Sequence, residues 1–408
     1  MTTTLAKMSW KNLWRHPQRT FLMIAIVAFS SALILFMWGI TDGFIESMIS
    51  TQIDLDSGDF QTRAIGYAED PLPSNGLTSA EVAEIESALE AFPASWTSSV
   101  RLDTGGMLRS AYGTLGVRVR GIQPESESAV TGVHKGIVEG RFLASPGEIV
   151  LSGNAAKDLD VRVGERVVLL AVAEGSTTSQ SFRAVGIVET GLTTLDLVVF
   201  THIDDARTLT SWEGATAVAV SIPKGANRNR SADQLQQALT GRVDAEVSTF
   251  FELNPLIRVM LSGSAIKLAP FVIMVALLAG FGVANTVFYS VLERTREFGM
   301  MTAVGMSTKQ LGLVILFESV YVSAIGFLIG GGVGYWGLLY MSRVGINFTE
   351  LMGGFGASFG LPTILYASTS GIYWLASFSV VVFTGLIAAW YPARRAAQLE
   401  PVAAIREG

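Results

Sequence analysis

The chain of 408 residues is 50% hydrophobic and only 16% charged, with a mean hydropathy of +0.43. Soluble domains carry about 25% charged residues, so this balance excludes an ordinary soluble protein and points to membrane segments. The net charge of −6 argues against a nucleic-acid partner, and the absence of cysteine removes disulfide and thiolate chemistry.

Residues 1–19 hold Lys7, Lys11, Arg15 and Arg19 with no acid, and read as an amphipathic N-terminal helix on the cytoplasmic side. An uncharged run from Thr20 to Thr41 follows. It is too long for the 7–15-residue apolar region of a secretory leader and lacks a small-residue cleavage site, so it reads as an uncleaved span. Two more uncharged runs cover Leu268 to Leu292 and Leu351 to Ala393, and Lys309 to Arg343 carries only Glu318 between its ends. A spanning helix needs about 20 mostly apolar residues. Four spans are therefore expected, at 20–41, 268–292, 311–340 and 375–392. Short flanks rich in Lys and Arg face the cytoplasm. That rule places residues 1–19, 293–310 and the tail 393–408 inside, and residues 42–267 and the short loop 341–374 outside.

The long external segment carries 29 acidic and 18 basic residues, a net of −11 against +5 for the rest of the chain. Its pattern is mixed α and β. Thr78-Ser-Ala-Glu81 resembles a capping box that opens a helix from Ala80 to Phe92, closed by Pro93. Strand-like runs follow at Met107–Tyr112, Gly116–Ile122, Glu148–Leu151, Arg166–Val172, Ser181–Val188 and Leu197–Phe200, separated by turn residues. One or two helical turns are expected at Asn154–Leu159 and helices at Ile203–Leu209 and Ala232–Leu239, with strands at Ala217–Ile222 and Ala245–Thr249. Helix-plus-strand units at both ends of a β-rich middle predict two subdomains, the second inserted in the first. Apolar residues near helical spacing in Asp42–Asp54 and Asn254–Lys267 predict helical stalks that continue spans one and two. The fold expected is an α-helical membrane protein with four transmembrane helices. A large mixed α/β extracytoplasmic domain of two subdomains is inserted between the first two.

No catalytic signature is present. The sequence lacks a G-x-x-x-x-G-K-[ST] phosphate loop, an H-E-x-x-H zinc motif and a G-x-S-x-G elbow. His16, His134 and His202 are scattered over three regions, so no metal site is expected. Gly330-Gly-Gly-Val-Gly334 lies inside an apolar span, where small residues let helices approach closely. Glu318 stands about seven residues into span three, roughly 10 Å by helical rise. With no other acid or histidine in the spans, it is expected to hydrogen-bond the connecting segment or reach a partner subunit, not to relay protons.

The connecting segment carries the clearest motif. Glu293-Arg-Thr-Arg-Glu-Phe-Gly-Met-Met-Thr-Ala-Val-Gly-Met306, preceded by Asn285 in span two, closely resembles the hallmark of FtsX-like ABC-transporter permeases, a Glu-Arg-x-x-Glu-Ile-Gly run followed by Ala-x-Gly-Ala-Ser. Phe298 stands where that family usually has isoleucine, and Met306 where it often has alanine. The tail from Tyr391 to Arg406, the stretch Asn12–Arg19 and the position of Glu318 are similar to the family as well. The resemblance implies a permease that binds no cofactor itself and works with a dimeric ATPase subunit, which binds ATP and magnesium. It makes residues 293–310 the coupling segment that docks on this ATPase, through Glu293, Arg294, Arg296 and Glu297. Phe298, Met300, Met301 and Val304 are then the apolar anchors, with Gly299 and Gly305 allowing close approach or a bend.

Within the family, the layout resembles the lipoprotein-releasing Lol permeases and MacB-type exporters. Asp42-Gly-Phe followed by Gly58-Asp-Phe-Gln-Thr is like the Lol permeases after span one. This implies a permease of the bacterial inner membrane that pairs with a second permease chain, identical or not, contacts membrane lipids and extracts lipoproteins. The hairpin tip at Ala173–Ser181 is short for a hook that engages a periplasmic carrier. The alternatives implied are a MacB-like mechanotransmission exporter with an adaptor, and an FtsX-like regulator of a cell-wall hydrolase.

Overall fold

The computed structural model describes residues 2–173, 176–255, 258–259, 264–347 and 364–396. Among them, four helices are long and apolar enough to cross a membrane: span one at Pro17–Gln52, span two at Ser264–Glu293, span three at Thr308–Val344 and span four at Ile372–Ala396. A separate N-terminal helix, Thr2–Leu13, precedes them. The helix of span one does not stop with its uncharged run at Thr41. It continues to Gln52 and ends in one π-helical turn, Ile53–Ser57. Of the expected second stalk, residues 256–257 and 260–263 lie outside the described residues, as do 348–363 of the short loop and 397–408 of the tail. The chain divides into two units, one with the N-terminal helix and the spans, the other with the inserted domain.

In the first unit, glycine decides how the spans pack. Gly326, Gly330 and Gly334 recur every four residues on span three and lie against Val27, Ala28 and Ala32 of span one. A Cβ at Gly330 would fall on the Ala28 carbonyl and the Ser31 hydroxyl. Hydrocarbon tails solvate leucine as well as a neighbouring helix does, so close backbone packing of this kind supplies the association. Nearer the start of span three, the Ser319 hydroxyl donates to the Gly385 carbonyl of span four at 2.7 Å. Gly39 and Gly43 of span one lie against the chain just before span four, and the Gly39 carbonyl accepts from the Ser368 amide at 2.9 Å. The glycine of Asp42-Gly-Phe is thus a packing residue.

The inserted domain is built on one ten-stranded sheet, ordered β10-β1-β9-β2-β3-β8-β5-β7-β4, with β6 paired to both β2 and β7. The strands are β1 Phe60–Ala64, β2 Thr97–Arg109, β3 Thr114–Ile122, β4 Ile137–Gly140, β5 Glu148–Ser152, β6 Arg166–Ala173, β7 Ser176–Val188, β8 Val198–His202, β9 Ala217–Ser221 and β10 Ala245–Thr249. Two main cores share this sheet. One packs Phe60, Val100, Leu102, Val218 and Val220 under the helices Ser79–Leu89 and Arg228–Leu239. The other packs Leu108, Val119, Leu169 and Phe182 within the middle of the chain. The predicted inserted subdomain is this second core.

The expected capping box forms, although the helix it opens ends at Leu89, short of the expected Phe92. Thr78 and Glu81 close their capping box, with the Thr78 amide donating to Glu81 Oε2 at 2.8 Å. Gly58 has φ +71°, and Asp59 after it accepts from the Ile222 amide at 2.9 Å and from Arg228 Nε at 2.6 Å. The Gly58-Asp59 pair is therefore the joint that fixes β1 beside β9. Strands β6 and β7 pair as far as Ala173 and Ser176, and the tip at 174–175 lies outside the described residues.

Several elements depart from the expectation: β1 and β4 lie outside the expected strands, and β7 starts at Ser176, ahead of Ser181. Strand β2 starts at Thr97, ten residues before Met107, because Arg101 and Asp103 interrupt the apolar alternation that marks a strand. Both are buried or nearly so, and both are paired. Arg101 forms two bonds to Glu127, at 2.7 and 3.0 Å, and a third to the Asp56 carbonyl at 2.6 Å. Arg120 of β3 bridges Asp103 at 2.8 Å and Asp56 at 2.6 Å. Glu127 sits on a helix, Pro124–Val130, whose polar composition gave no periodic signal. The helix ending at Leu239 starts at Arg228, capped by the Asn227 side chain. These buried pairs clamp the π-turn at the end of the span-one helix into the inserted domain.

Two predictions follow from this packing. Gly330→Ala should lower the stability of the purified chain by about 1–3 kcal/mol through overpacking, whereas Gly332→Ala, with open space around its Cβ, should leave the melting temperature unchanged. Burial alone raises the Asp103 carboxyl, but the Arg120 guanidinium outweighs it and holds it at about 2, below the ordinary 3.8. A depressed carboxylate stabilises fully above the unfolded-state value and loses that contribution as pH falls through the folded one. Circular dichroism melts should therefore show stability falling between about pH 4 and pH 2, and Asp103→Asn should flatten that part of the curve.

Candidate functional site

Span two ends where its apolar run ends. Arg294, with φ −101° and ψ 13°, breaks the helix, and a short connecting helix follows at Thr295–Ala303. Gly305 has φ +107°, a left-handed conformation that side chains strain to adopt, and it turns the chain back towards span three. There Ser307 caps the helix in a box with Gln310, the Ser307 amide donating to Gln310 Oε1 at 2.8 Å. The break, the glycine and the cap make residues 294–307 a compact loop-helix element between two spans.

This element has an inner and an outer face. Arg294, Phe298 and Gly299 are buried, with Phe298 only 2% exposed, and Glu297, Met301 and Thr302 are half-buried. Phe298 packs among Leu13, Val291, Leu311 and Ile315 of the same unit, and the Arg294 guanidinium lies 5.0 Å from its ring centre. The outer face presents Arg296, Met300 at 50% exposure and Val304 at 90%, spaced four residues apart. Glu293 and Gly305 are exposed as well. The expectation that Phe298 anchors a partner is corrected here. Its bulk fills the bundle's own core, and Met301 leans the same way, so Met300 and Val304 are the apolar groups that face outwards.

Arg294 holds the inner face. It is 4% exposed, and its Nε meets Glu297 Oε2 at 3.1 Å while its Nη1 meets Glu318 Oε1 of span three at 3.3 Å. Glu297 is shared with Arg15, whose Nη2 lies 3.0 Å from the other carboxylate oxygen. Arg19 pairs with Glu293. Arg15, Glu297, Arg294 and Glu318 thus form one ionic network, and Arg19 with Glu293 a separate pair. The sequence showed Arg15 and Arg19 only as topology signals, because a partner 282 residues away leaves no local pattern. Asn285, by contrast, lies on the exposed face of span two.

A cavity of about 30 Å³ sits beside this network, lined by Asn12, His16, Arg19, Ser290, Arg294 and Glu318 among others. That volume admits water and no substrate-sized molecule. Among the described residues, no group of three or more His, Asp or Glu side chains is placed to hold a metal ion. Removing one partner from a buried ion pair leaves an uncompensated charge, at a cost of about 3–5 kcal/mol. Arg294→Ala should therefore lower the melting temperature of the detergent-purified chain by several degrees, and Arg296→Ala, on the outer face, should leave it within error.

Comparison with known proteins places this architecture. The family model of the MacB-like periplasmic core domain matches residues 20–238, more than half of the chain. That of the FtsX-like permease C-terminal matches residues 270–401. The macrolide export ATP-binding/permease protein MacB of Rhodospirillum rubrum is 29% identical over 206 residues, which are 50% of this chain and 28% of that one. The uncharacterized ABC transporter permease YknZ of Bacillus subtilis is 33% identical over 133 residues, 32% of this chain and 28% of that one. Each match thus spans less than a third of the relative's own length. The crystal structure of the periplasmic region of MacB from Actinobacillus actinomycetemcomitans is similar over 50% of this chain and 94% of that one, at 13% identity and a TM-score of 0.35. With both family models matched in order along one polypeptide, the chain belongs to the FtsX-like, MacB-type (type VII) family of ABC-transporter permeases.

Proposed function

We propose that the chain is the permease subunit of an ABC transporter and couples ATP hydrolysis on a separate, dimeric ATPase subunit to work on the far side of the bacterial inner membrane. The outer face of the connecting helix, with Arg296, Met300 and Val304, is the docking surface for that subunit. A helix whose inner face is locked by Arg294 and whose outer face is apolar at i and i+4 suits a helix-in-groove contact. The charge of the flanks supports both termini and the connecting segment facing the cytoplasm, with the inserted domain in the periplasm.

For the work itself, the observation that favours lipoprotein extraction is an apolar groove between spans one and two. It has a volume of about 380 Å³ and is lined by Ala25, Ile26, Phe29, Leu33, Val275 and Leu278. A groove of that chemistry accepts acyl chains, and a second permease chain would close it. The second reading, export of periplasmic substrates with an adaptor, is favoured by the similarity to the Rhodospirillum rubrum relative, a macrolide export protein.

Co-purification from detergent tests the docking surface. Met300→Glu with Val304→Glu should reduce recovery of the ATPase subunit at least tenfold, with membrane insertion unchanged; unaltered recovery would refute docking there. Photocrosslinking tests the groove. A triacylated peptide should label the native chain, and Leu33→Trp should cut that labelling severalfold without affecting ATPase recovery. No preference for the acylated over the unacylated peptide would leave the export reading standing.

A further inference from the structure

We propose that the outward face of the N-terminal helix is a binding surface for anionic phospholipid headgroups of the adjoining membrane leaflet. The helix Thr2–Leu13 has two distinct faces. Leu5, Ser9, Asn12 and Leu13 are buried, and the Ser9 hydroxyl lies 3.0 Å from the Val314 carbonyl of span three. Tyr321 of the same span donates to the Ala6 carbonyl at 3.3 Å. The helix is thus fastened along span three and presents one fixed face outwards.

That face holds Lys7, Trp10, Lys11 and, in the turn that follows, Trp14, all exposed. By helical spacing these four positions fall within about 100° of one another, opposite the buried set. Trp10 and Trp14 meet edge to face at 6.0 Å, and Trp10 also meets Tyr321 at 5.4 Å. Two tryptophans exposed to nearly half their area beside two lysines suit the headgroup layer, where the ring sits in an apolar zone and its N–H stays wet. Span one, which follows in the chain, likewise exposes Phe21, Leu22 and Phe29 by more than half.

Charge selects the lipid. Arg15 and Arg19 are engaged by Glu297 and Glu293, but Lys7 and Lys11 have no acidic partner among the described residues, and the helix carries no acid. Lysines close to an anionic leaflet each strengthen binding by roughly fivefold. A zwitterionic lipid gives no such gain.

Native mass spectrometry of the detergent-purified chain tests this, with phosphatidylglycerol and phosphatidylcholine as probes. The native chain should retain phosphatidylglycerol in preference. Lys7→Gln with Lys11→Gln should weaken that retention by about 25-fold at an unchanged melting temperature, and Lys7→Arg with Lys11→Arg should restore it. Equal retention of the two lipids by the native chain would overturn the proposal. So would unchanged phosphatidylglycerol retention in the glutamine variant. Lipid retention is read without any ATPase present, so a failure of the docking surface at Met300 and Val304 is seen separately.

Discussion

A single buried guanidinium organises the end of the membrane unit where span two meets the connecting helix. Arg294 sits at the break between span two and the connecting helix, and it reaches one carboxylate on that helix and another on span three. A charge this deep is tolerable only when partners surround it, because its desolvation costs several kcal/mol without them. Glu297 and Glu318 are those partners, and Arg15 shares the first. The connecting helix and Arg15 of the N-terminal region are both tied to this group, alongside the packing of Phe298 and Leu13 in the core. Glu318 therefore needs no proton-relay role to explain its place in an apolar span.

The inserted domain meets the same requirement with different residues. Arg101 and Arg120 lie on neighbouring strands and point into a region closed by Glu127, Asp103 and Asp56. Their planar forks make paired bonds that fix direction as well as distance. One of these acids belongs to the π-turn Ile53–Ser57, so polar groups and not apolar packing alone hold that turn in the domain.

These two clusters mark the boundary of what could be read from the residues alone. The spans were legible because lipid imposes a length and an absence of charge that no other context does. The capping box at Thr78 and the break after span two were legible because their chemistry is local. Strand β2 was half hidden, since its arginine and aspartate are buried against rule and only their distant partners explain it. Phe298 misled for a related reason. An apolar residue on a short amphipathic helix has two surfaces to choose from, and the choice depends on Leu13 and Ile315, far away in the chain. Glu318 was singled out from sequence; its partner Arg294 lies 24 residues earlier, across a turn whose geometry only the fold supplies.

Strand β2 has a further consequence. Its first residues pair with β9 in one core, and its last pair with β6 in the other. A strand cannot detach at one end and keep full register at the other, so loosening either core frays the ladder of its neighbour. The two subdomains are accordingly not independent modules joined by a tether. They share one strand and one sheet, so a single cooperative melting transition is the expected outcome for the domain.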